Sequence, residues 1–455
     1  MSTETLTEPV AQDAATWKPR LVAFVCNWCT YTGADLAGTS RTEYPANVRI
    51  VRLPCSGRID PHFVIRAFEQ GADGVLISGC HPGDCHYTAG NYHARRKFIV
   101  LRALADFLGI ESERLQFSWV SAAEGRKWAD VVSEVVDGLR RVGPVAPAWG
   151  AAGELPERVL TEPPLPVPAP LDVTAALRDT AARWLREGRV DVFVGYGQGT
   201  LPDRLRPVFI TSPEQAEQLV WNEHAVNNLT TYLTRGLVKR HGKVGLLVKS
   251  CDARAVVGLL QERQLEREQV ALLGVPCTGV EVDGALAPKC HTCSSTWPSI
   301  VDEVLSLDAP LTPLDGEGVA AEIAWVEKMP PAQRRAWWQA QFDRCLRCYA
   351  CRAACPLCYC NQCIADKNRP QWVAKGGHGQ GNLAWNLVRA YHLAGRCVGC
   401  GECTRVCPAN IRLDLLNAKL AQVVRDEFGY VAGTDPDVPP ALTTYLVEDH
   451  EEFIR

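Results

Sequence analysis

Short apolar runs alternate with helical patterns from Leu21 onwards, which is typical of a parallel sheet covered by helices. The first predicted strands are LVAFV, VRIVRL, GVLIS and QFSWV. Between them, DPHFVIRAFEQG and HARRKFIVLRALADFLG carry apolar residues at helical spacing, and Asp60 and Pro61 supply an N-cap and a first turn. We therefore expect an open parallel α/β sheet with buried strands over residues 20–142.

A second α/β pattern spans residues 172–309. Its predicted strands are VDVFVGYG, VFIT, KVGLLVKS and VALLGVPC. The segment PEQAEQLVWNEHAVNNLTTYLTRGLVKRHG, between the second and third of these strands, is expected to be helical. Residues 143–171, between the two patterns, are rich in proline and have no apolar period, which predicts a stiff linker.

The rest of the chain is predicted to be mainly helical. An amphipathic helical segment is predicted to lead into a cysteine-rich region, with the sequence EIAWVEKMPPAQRRAWWQAQFDR. Its tryptophans are expected to pack in the interior: Trp325, Trp337 and Trp338. NIRLDLLNAKLAQVVRDEFG is expected to form a helix that ends at Gly429. We assign residues 310–430 to a third domain with a helical insertion, residues 431–455 to a docking tail and residues 1–19 to a disordered N-terminus.

Length and composition narrow the class of protein. With 455 residues the chain is too long for one ordinary core, and its 20 cysteines fall into three groups, one in each predicted domain. The first residues lack the basic start and apolar centre of a signal peptide, and no apolar run reaches membrane-spanning length. Cys-x2-Cys runs in such a chain indicate metal ligands in a reducing cytoplasm. The net charge is -4, and acidic and basic residues are interspersed along the sequence. The sequence therefore shows no basic patch of the kind that binds nucleic acid.

Two copies of one metal-binding run lie between Arg344 and Pro408, RCLRCYACRAACP and RCVGCGECTRVCP. In such pairs the first three cysteines of a run bind one cubane, and the fourth binds the neighbouring cluster. The predicted ligands of the first 4Fe-4S cluster are Cys345, Cys348, Cys351 and Cys407. Those of the second 4Fe-4S cluster are Cys397, Cys400, Cys403 and Cys355. The region resembles a bacterial two-cluster ferredoxin module with an insertion, whereas a zinc site would not need the third cysteine of each run.

That insertion opens with PLCYCNQC, which adds Cys358, Cys360 and Cys363. With a distant fourth ligand these three could hold a further cluster or metal. Alternatively they are buried thiols beside the first cluster. Their role stays open.

Five cysteines accompany the first predicted sheet. Cys26 ends the first strand, Cys55 follows the second and Cys80 follows the third, so all three are expected at the carboxyl edge, where open parallel sheets bind ligands. Cys29 and Cys85 lie in the adjoining loops. Four thiolates suffice for a 2Fe-2S cluster. We take Cys29 as the spare thiol, or as a substitute for one of the other four.

The same region resembles a known family. CNWCTYTGADLAGTSR, VRLPCSGRID and GADGVLISGCHPGDCHYTAGNYHARRK are similar to the delta subunit of methyl-viologen-reducing hydrogenase, over roughly Arg20 to Leu139. This resemblance implies a 2Fe-2S domain that passes electrons between a hydrogenase or formate dehydrogenase and a heterodisulfide-reductase-type flavoprotein. It also permits methylenetetrahydrofolate reductase as a partner. His81 and His86 flank the last two cysteines, and could replace thiolates or donate hydrogen bonds nearby.

Four more cysteines lie in the middle region. Two predicted strands are expected to end in cysteine, and KCHTC supplies two more: Cys251, Cys277, Cys290 and Cys293. They could bind a third 4Fe-4S cluster or a zinc ion, or remain unliganded. KSCDARAVVGLLQE and LLGVPCTGV resemble the beta-subunit family of deazaflavin-reducing hydrogenases and dehydrogenases, over residues 189–299. That resemblance makes a bound flavin a candidate cofactor.

A glycine-rich sequence, GYGQG, follows one of the middle strands. Its glycines Gly195, Gly197 and Gly199 are weak candidates for a flavin phosphate cradle. The segment LPDRLRPVF after them does not start a helix, which favours a plain glycine-rich turn.

These observations favour an iron-sulfur electron-transfer component of a larger oxidoreductase complex, because three cluster-bearing regions occur and no hydrolytic or acid-base site emerges. Other oxidoreductase subunits would be its partners. The alternative is an oxidoreductase subunit whose middle domain holds a flavin that accepts hydride. A third hypothesis is a scaffold stabilised by zinc, in which the cysteines never change oxidation state.

Overall fold

A computed structural model describes two compact units in the chain. The described residues are 17–145, 172–291, 293, 295–305 and 318–455. The first unit combines the described N-terminal residues with residues 446–455, and the second contains the described residues from 172 to 445. The mixed α/β class is confirmed, with a parallel sheet in the first unit and a second sheet followed by a helical, cysteine-rich region in the second. Most of the predicted disordered N-terminus and linker lie outside the described residues.

The first unit is built on a four-stranded parallel sheet in the order β2-β1-β3-β4. Its strands are β1 Leu21–Cys26, β2 Val48–Leu53, β3 Gly74–Gly79 and β4 Leu115–Trp119. Its helices are α1 Thr30–Thr39, α2 Pro61–Glu69, α3 Gly90–Phe107 and α4 Gly125–Val142. The four strands occur where the apolar runs predict them. The prediction that all are buried is wrong for β2, which alternates between half-buried and exposed residues because it lies at the sheet edge.

Local sequence explains how the helices of this unit are fixed. Asp60 caps α2 as predicted, since its carboxylate accepts a hydrogen bond from the amide of His62 at 2.9 Å, and Pro61 is the first helical residue. On α4, Trp128 and Val132 are fully buried against the sheet. Burial of a large apolar side chain contributes about 1.5 to 3 kcal/mol. The packing of α4 thereby stabilises the sheet that carries the loops at its carboxyl edge.

Residues 446–455 pack on the first unit through buried ion pairs. The Asp449 carboxylate accepts two hydrogen bonds from the Arg96 guanidinium, one of them at 2.8 Å. Arg95 donates to Glu451 at 2.9 Å. The side chains of Arg95, Arg96 and Asp449 are at most 4% exposed. These charges can be buried because each has an opposite partner.

The same segment extends the sheet and adds to its apolar face. Arg455 exchanges backbone hydrogen bonds with the outer strand β4, donating to Phe117 at 3.0 Å and accepting from Trp119 at 3.1 Å. Phe453 stacks on Phe98 of α3, with 5.6 Å between ring centroids. Residues 446–455 of the predicted tail therefore have a defined place on the first unit.

The second unit is built on a five-stranded sheet in the order β11-β8-β7-β5-β6. Its strands are β5 Val192–Gln198, β6 Leu205–Ile210, β7 Val244–Val248, β8 Val270–Gly274 and β11 Glu303–Val304. Neighbouring strands pair in parallel, except for β5 and β6, which form an antiparallel hairpin. A short separate hairpin is formed by β9 Glu281–Val282 and β10 Ala285–Leu286.

Helices surround this sheet and form the rest of the unit. Those of the middle region are α5 Thr174–Arg186, α6 Leu237–His241, α7 Ser250–Gln261 and α8 Pro288–His291. Those that follow are α9 Gly318–Lys328, α10 Pro331–Asp343, α11 Ala350–Ala354, α12 Gly379–His392, α13 Glu402–Arg405 and α14 Leu413–Phe428. In the described ranges, no helix is both long enough and apolar enough to cross a membrane.

The helical prediction for residues 213–242 is wrong in most of its length. The segment forms two stretches of 3-10 helix, Pro213–Gln218 and Leu229–Arg235, before the short helix α6. Asn228 and Asp252 explain the difference, because their side chains accept the amides of Thr230 and Leu229 at 3.1 and 2.7 Å. Such side-chain bonds compete with a continuous helical ladder.

The approach to the cysteine-rich region consists of two helices. The chain breaks between α9 and α10 at Pro330 and Pro331, because proline cannot donate a helical hydrogen bond. Trp337 and Trp338 are buried as predicted, whereas Trp325 is only half-buried. The last helix, α14, ends as predicted at Gly429, which takes a left-handed conformation with φ 61°.

Replacing Asp449 by Asn should loosen the docked tail. We expect a loss of about 3 kcal/mol in local stability, because the buried guanidinium of Arg96 loses the carboxylate that accepts its hydrogen bonds. Hydrogen exchange of the α3 amides measures the change. Glu452→Gln is the control, since that side chain is 91% exposed. Equal exchange rates in the two variants would contradict the expectation.

The same contact predicts a dependence on pH. Burial raises the pKa of Asp449, but the bonds from Arg96 and the Leu446 amide outweigh this and lower the pKa below its ordinary value. The stabilisation is thus present above the unfolded pKa of about 3.9, and is lost as pH falls through the lower folded-state pKa. Hydrogen exchange of the α3 amides, measured as the pH is lowered, checks this order of events.

Candidate iron-sulfur sites

Four thiols meet at the carboxyl edge of the first sheet. Cys26 is the last residue of β1 and Cys80 directly follows β3, and their sulfur atoms lie 3.6 Å apart. Cys55 follows β2 and Cys85 lies in the loop before α3, with 3.8 Å between their sulfurs. All four are at most 8% exposed. The parallel topology brings them together, because the strands end at one edge.

The fifth thiol of this region is close to the other four. Cys29 immediately precedes α1 and is partly exposed. It interacts electrostatically with Cys26 and Cys85 and is hydrogen bonded to Cys80. The geometry is compatible with Cys29 as a ligand, so its assignment as the spare thiol stays a prediction.

Burial and thiol–thiol hydrogen bonds govern the protonation of this site. Burial raises the pKa of Cys55 to about 11. The hydrogen bond from Cys80 lowers the pKa of Cys26 to about 6, and the same bond raises the pKa of Cys80. Iron binds thiolates, so cluster insertion must displace the remaining protons.

At Gly90 the backbone passes directly beside the sulfur atoms of Cys55 and Cys85. A β-carbon at this first residue of α3 would lie 2.3 Å from the sulfur of Cys55 and 3.3 Å from that of Cys85. Any side chain would therefore occupy the space beside the thiols. The site thus has the donor atoms for a small cluster, and only glycine at position 90 leaves them uncovered. The sequence contained no signal that singled out this glycine.

The two histidines beside the site have other contacts. His81 Nε2 is hydrogen bonded to Glu124 at 2.7 Å. The His86 ring stacks on Trp28, with 3.8 Å between ring centroids. His81 thus forms a hydrogen bond, as one interpretation expects, and a ligand set made of thiols alone stays a prediction.

The four middle cysteines line one cavity of about 140 Å³. Cys251 is the second residue of α7, Cys277 lies in the loop after β8, and Cys290 is in α8 with Cys293 just after it. The strands β7 and β8 end three residues before Cys251 and Cys277, so the expectation that they end in cysteine is wrong in detail. The turn onto α7 and the loop after β8 nevertheless carry both thiols to the cavity.

Two buried lysines also line this cavity. Lys249 forms an ion pair with Asp252 at 2.9 Å, and Lys289 donates to the carbonyl of Val226 at 2.8 Å. Burial raises the pKa of Cys251 to about 12, and both lysines oppose that rise. Their positive charges suit a site that gathers thiolates. In the sequence, Lys249 lies two residues before Cys251, and Lys289 lies directly before Cys290. The prediction of the site did not use this signal.

The wall of the middle cavity includes the second ferredoxin run. Val398 and Gly399, between Cys397 and Cys400, line the same cavity as the four middle thiols. The middle site and the second run are therefore neighbours within one compact unit.

A separate cavity contains the first ferredoxin group. Cys345, Cys348, Cys351 and Cys407 all line it, together with Trp385 and other side chains. These are the four cysteines that the spacing assigns to one cluster. The cluster itself stays a prediction.

The two runs have the same backbone geometry. In the first run Arg347 and Tyr349 have left-handed φ values of 55° and 59°. The equivalent residues of the second run are Gly399 and Gly401, with φ values of 70° and 69°. Residues other than glycine rarely adopt this conformation, so its repetition indicates a backbone shaped to direct the thiols.

The second ferredoxin group is buried more deeply. Cys355 interacts electrostatically with Cys397, Cys400 and Cys403. Burial raises the pKa of Cys403 to about 12. Asn417 of α14 donates a hydrogen bond to the sulfur of Cys403 at 3.6 Å. Hydrogen bonds to sulfur are one of the features that set the potential of a cluster.

The three further cysteines of the insertion have different surroundings. Cys358 is hydrogen bonded to Cys355, and this bond lowers the pKa of Cys355 to about 6. Cys363 is hydrogen bonded to Arg352, and Cys360 is exposed. For Cys358 these contacts favour a thiol beside a ligand, while the roles of Cys360 and Cys363 stay open.

The glycine-rich sequence does not form a phosphate cradle. Gly195 and Gly197 lie on β5 and pair with the antiparallel strand β6, and Gly199 closes the hairpin. A strand follows where a cradle needs the start of a helix. A β-carbon on Gly195 would lie 2.6 Å from Leu219, so packing accounts for this residue. The flavin role predicted for these glycines is not supported by the geometry.

Comparison with known proteins identifies the first cysteine-rich region. Residues 21–143 match the family model described as methyl-viologen-reducing hydrogenase, delta subunit. An iron-sulfur subunit of F420-non-reducing hydrogenase from Methanococcus voltae is 52% identical over 131 residues, covering 29% of this chain and 91% of that protein. The chain belongs to this delta-subunit family. The corresponding protein from Archaeoglobus profundus is 51% identical over 128 residues, covering 28% of this chain and 93% of that protein.

The delta-subunit segment is also similar to part of a much larger protein. This relative is one of the subunits of ferredoxin:CoB-CoM heterodisulfide reductase from Methanosarcina mazei, and it is 46% identical over 127 residues, which cover 28% of this chain and 16% of that protein. Residues 341–411 match the model of a 4Fe-4S dicluster domain. This confirms the predicted iron-sulfur character of both ends. The likeness of residues 189–299 to deazaflavin enzymes stays a prediction.

We expect Gly90→Ala to prevent cluster binding at the first sheet, because the new methyl group would collide with Cys55. Iron content and the visible spectrum of the whole chain measure the loss. Gly38→Ala is the matched control, since its β-carbon would meet nothing within 4 Å. Full iron content in Gly90→Ala would show that the site lies elsewhere.

Proposed function

We propose that the chain is an iron-sulfur electron-transfer subunit. It would relay electrons between a hydrogenase or formate dehydrogenase and a heterodisulfide-reductase-like or other flavin-containing oxidoreductase. The observation that carries this proposal is the wall shared by the middle cysteine cavity and the second ferredoxin run at Val398 and Gly399. A relay needs redox centres that adjoin one another, and this wall makes two candidate centres neighbours.

The proposed cofactors follow the grouping of the thiols. The first unit would hold one 2Fe-2S cluster, with ligands Cys26, Cys55, Cys80 and Cys85. The ferredoxin runs would hold two 4Fe-4S clusters, and the middle cavity a third. When bound, these clusters supply reversible one-electron transfer. The chain's own residues exclude water, direct the thiols and set the potentials through burial, charge and hydrogen bonds to sulfur.

Names of relatives support the choice of partners. Similar proteins are subunits of F420-non-reducing hydrogenases and of a heterodisulfide reductase. Methylenetetrahydrofolate reductase is a further candidate, because the delta-subunit resemblance permits it. In this proposal residues 20–142 form the 2Fe-2S domain, residues 172–309 a beta-subunit-like domain and residues 310–430 the two-cluster module.

The cofactor content of anaerobically purified protein tests the proposal. Iron, sulfide, zinc and flavin are measured together with EPR of the reduced sample. One 2Fe-2S and three 4Fe-4S clusters give about fourteen irons per chain. About ten irons without zinc would leave the middle cavity without a cluster. Stoichiometric flavin would favour a hydride-accepting oxidoreductase, and a colourless zinc protein would overturn the relay.

Replacing Cys277 by Ser should remove the middle cluster alone. We expect iron to fall from about fourteen to about ten per chain, because a cubane with four protein ligands loses one of them. Cys360→Ser is the matched control, since Cys360 is exposed and lies outside the ligand sets of the four proposed clusters. Unchanged iron in the Cys277 variant would argue against a cluster in this cavity.

A further inference from the structure

The insertion between the two ferredoxin runs carries a buried arginine. Arg389 lies near the end of α12 and is 5% exposed. Arginine is rarely buried to this degree without an opposite charge, because removing a guanidinium from water is costly. The residues around Arg389 should therefore indicate the function of its positive charge.

Arg389 lies close to both groups of ferredoxin cysteines. Its Nη2 donates to the carbonyl of Cys351 at 3.1 Å, and Cys351 belongs to the first group. It also interacts electrostatically with Cys355 and Cys403, both of the second group. The guanidinium is thus shared by the two sites.

The groups near Arg389 that can carry negative charge are cysteine sulfurs. Within the described part of the second unit, no ion pair joins Arg389 to a carboxylate. Its Nε has no hydrogen-bond acceptor among the described residues. An arginine guanidinium keeps its positive charge throughout the pH range in which proteins are folded.

The insertion is anchored so that this charge has a fixed position. At the start of α12, Asn382 donates to the carbonyls of Phe342 and Cys345, both at 3.0 Å. Arg347 of the first run donates back to Ala374 in the insertion at 2.8 Å. Arg389 follows about two helical turns after Asn382 on the same helix. The helix is thus tied to the first run at its start and reaches between the two cysteine groups near its end.

We propose that Arg389 sets the reduction potentials of the two ferredoxin clusters together. Reduction adds one negative charge to a cluster, and a fixed positive charge nearby, away from water, favours the reduced form. This inference rests on the proposed function, because it requires clusters in both groups. It assigns to the insertion the task of supplying a charge that both clusters share.

Redox titration of the whole chain, followed by EPR, tests the proposal. Arg389→Gln removes the charge and keeps an amide donor for the Cys351 carbonyl. We expect both clusters to become harder to reduce, each by about tenfold in its equilibrium constant, or about 59 mV for a one-electron couple. Arg389→Lys keeps the charge and should remain close to the original potentials. Arg425→Gln on α14 is the matched control, since Arg425 is exposed and pairs with Asp426.

Three results would overturn the proposal. Unchanged potentials in an Arg389→Gln variant with full iron would do so, and so would a shift of only one cluster. Arg389→Met is measured in parallel because it fills a similar volume without charge. If neither neutral variant retains its iron, Arg389 is needed for assembly and its role in setting potentials fails. An unmutated chain without iron-sulfur signals would instead refute the proposed function.

Discussion

The concentration of thiols in buried pockets is the constraint on which this molecule depends. Thiolates repel one another, and burial disfavours their charge, so such pockets are unstable as bare anions. Burial raises the pKa values of Cys55 and Cys251, so these pockets oppose full deprotonation of their thiols. The thiolate form therefore requires compensating positive charge, which iron would supply, and in the second unit Lys249, Lys289 and Arg389 contribute to it.

Backbone geometry is the second requirement, and it is met differently in each region. In the first unit, parallel strands deliver thiols to one edge of a sheet. In the ferredoxin runs, left-handed residues bend the chain around each group, as at Tyr349 and Gly401. In the middle region, loops and short helices carry the cysteines. Three different backbone arrangements thus bring cysteines together in this chain.

Much of this could be predicted from the sequence where the signal is local. Apolar runs predict the four strands of the first sheet, and Asp60 and Gly429 mark helix ends because their chemistry acts within one turn. The segment 213–242 escaped prediction, since a contact from Asp252 in a different helix decides it. The same distinction between local signals and contacts distant in sequence applies to the candidate sites. The spacing of the ferredoxin cysteines is readable because ligand geometry fixes it, whereas Gly90 and Arg389 act on thiols that only the folded chain brings near.

The tail contact has a consequence for biosynthesis. Arg95 and Glu451 are separated by 356 positions in the chain. At about 5 to 20 residues per second, the ribosome needs roughly 20 to 70 s to pass from one to the other. During that interval the domain synthesised first has an incomplete surface on α3 and an open edge at β4. The first domain therefore cannot complete its fold until the cysteine-rich regions that follow it have been synthesised.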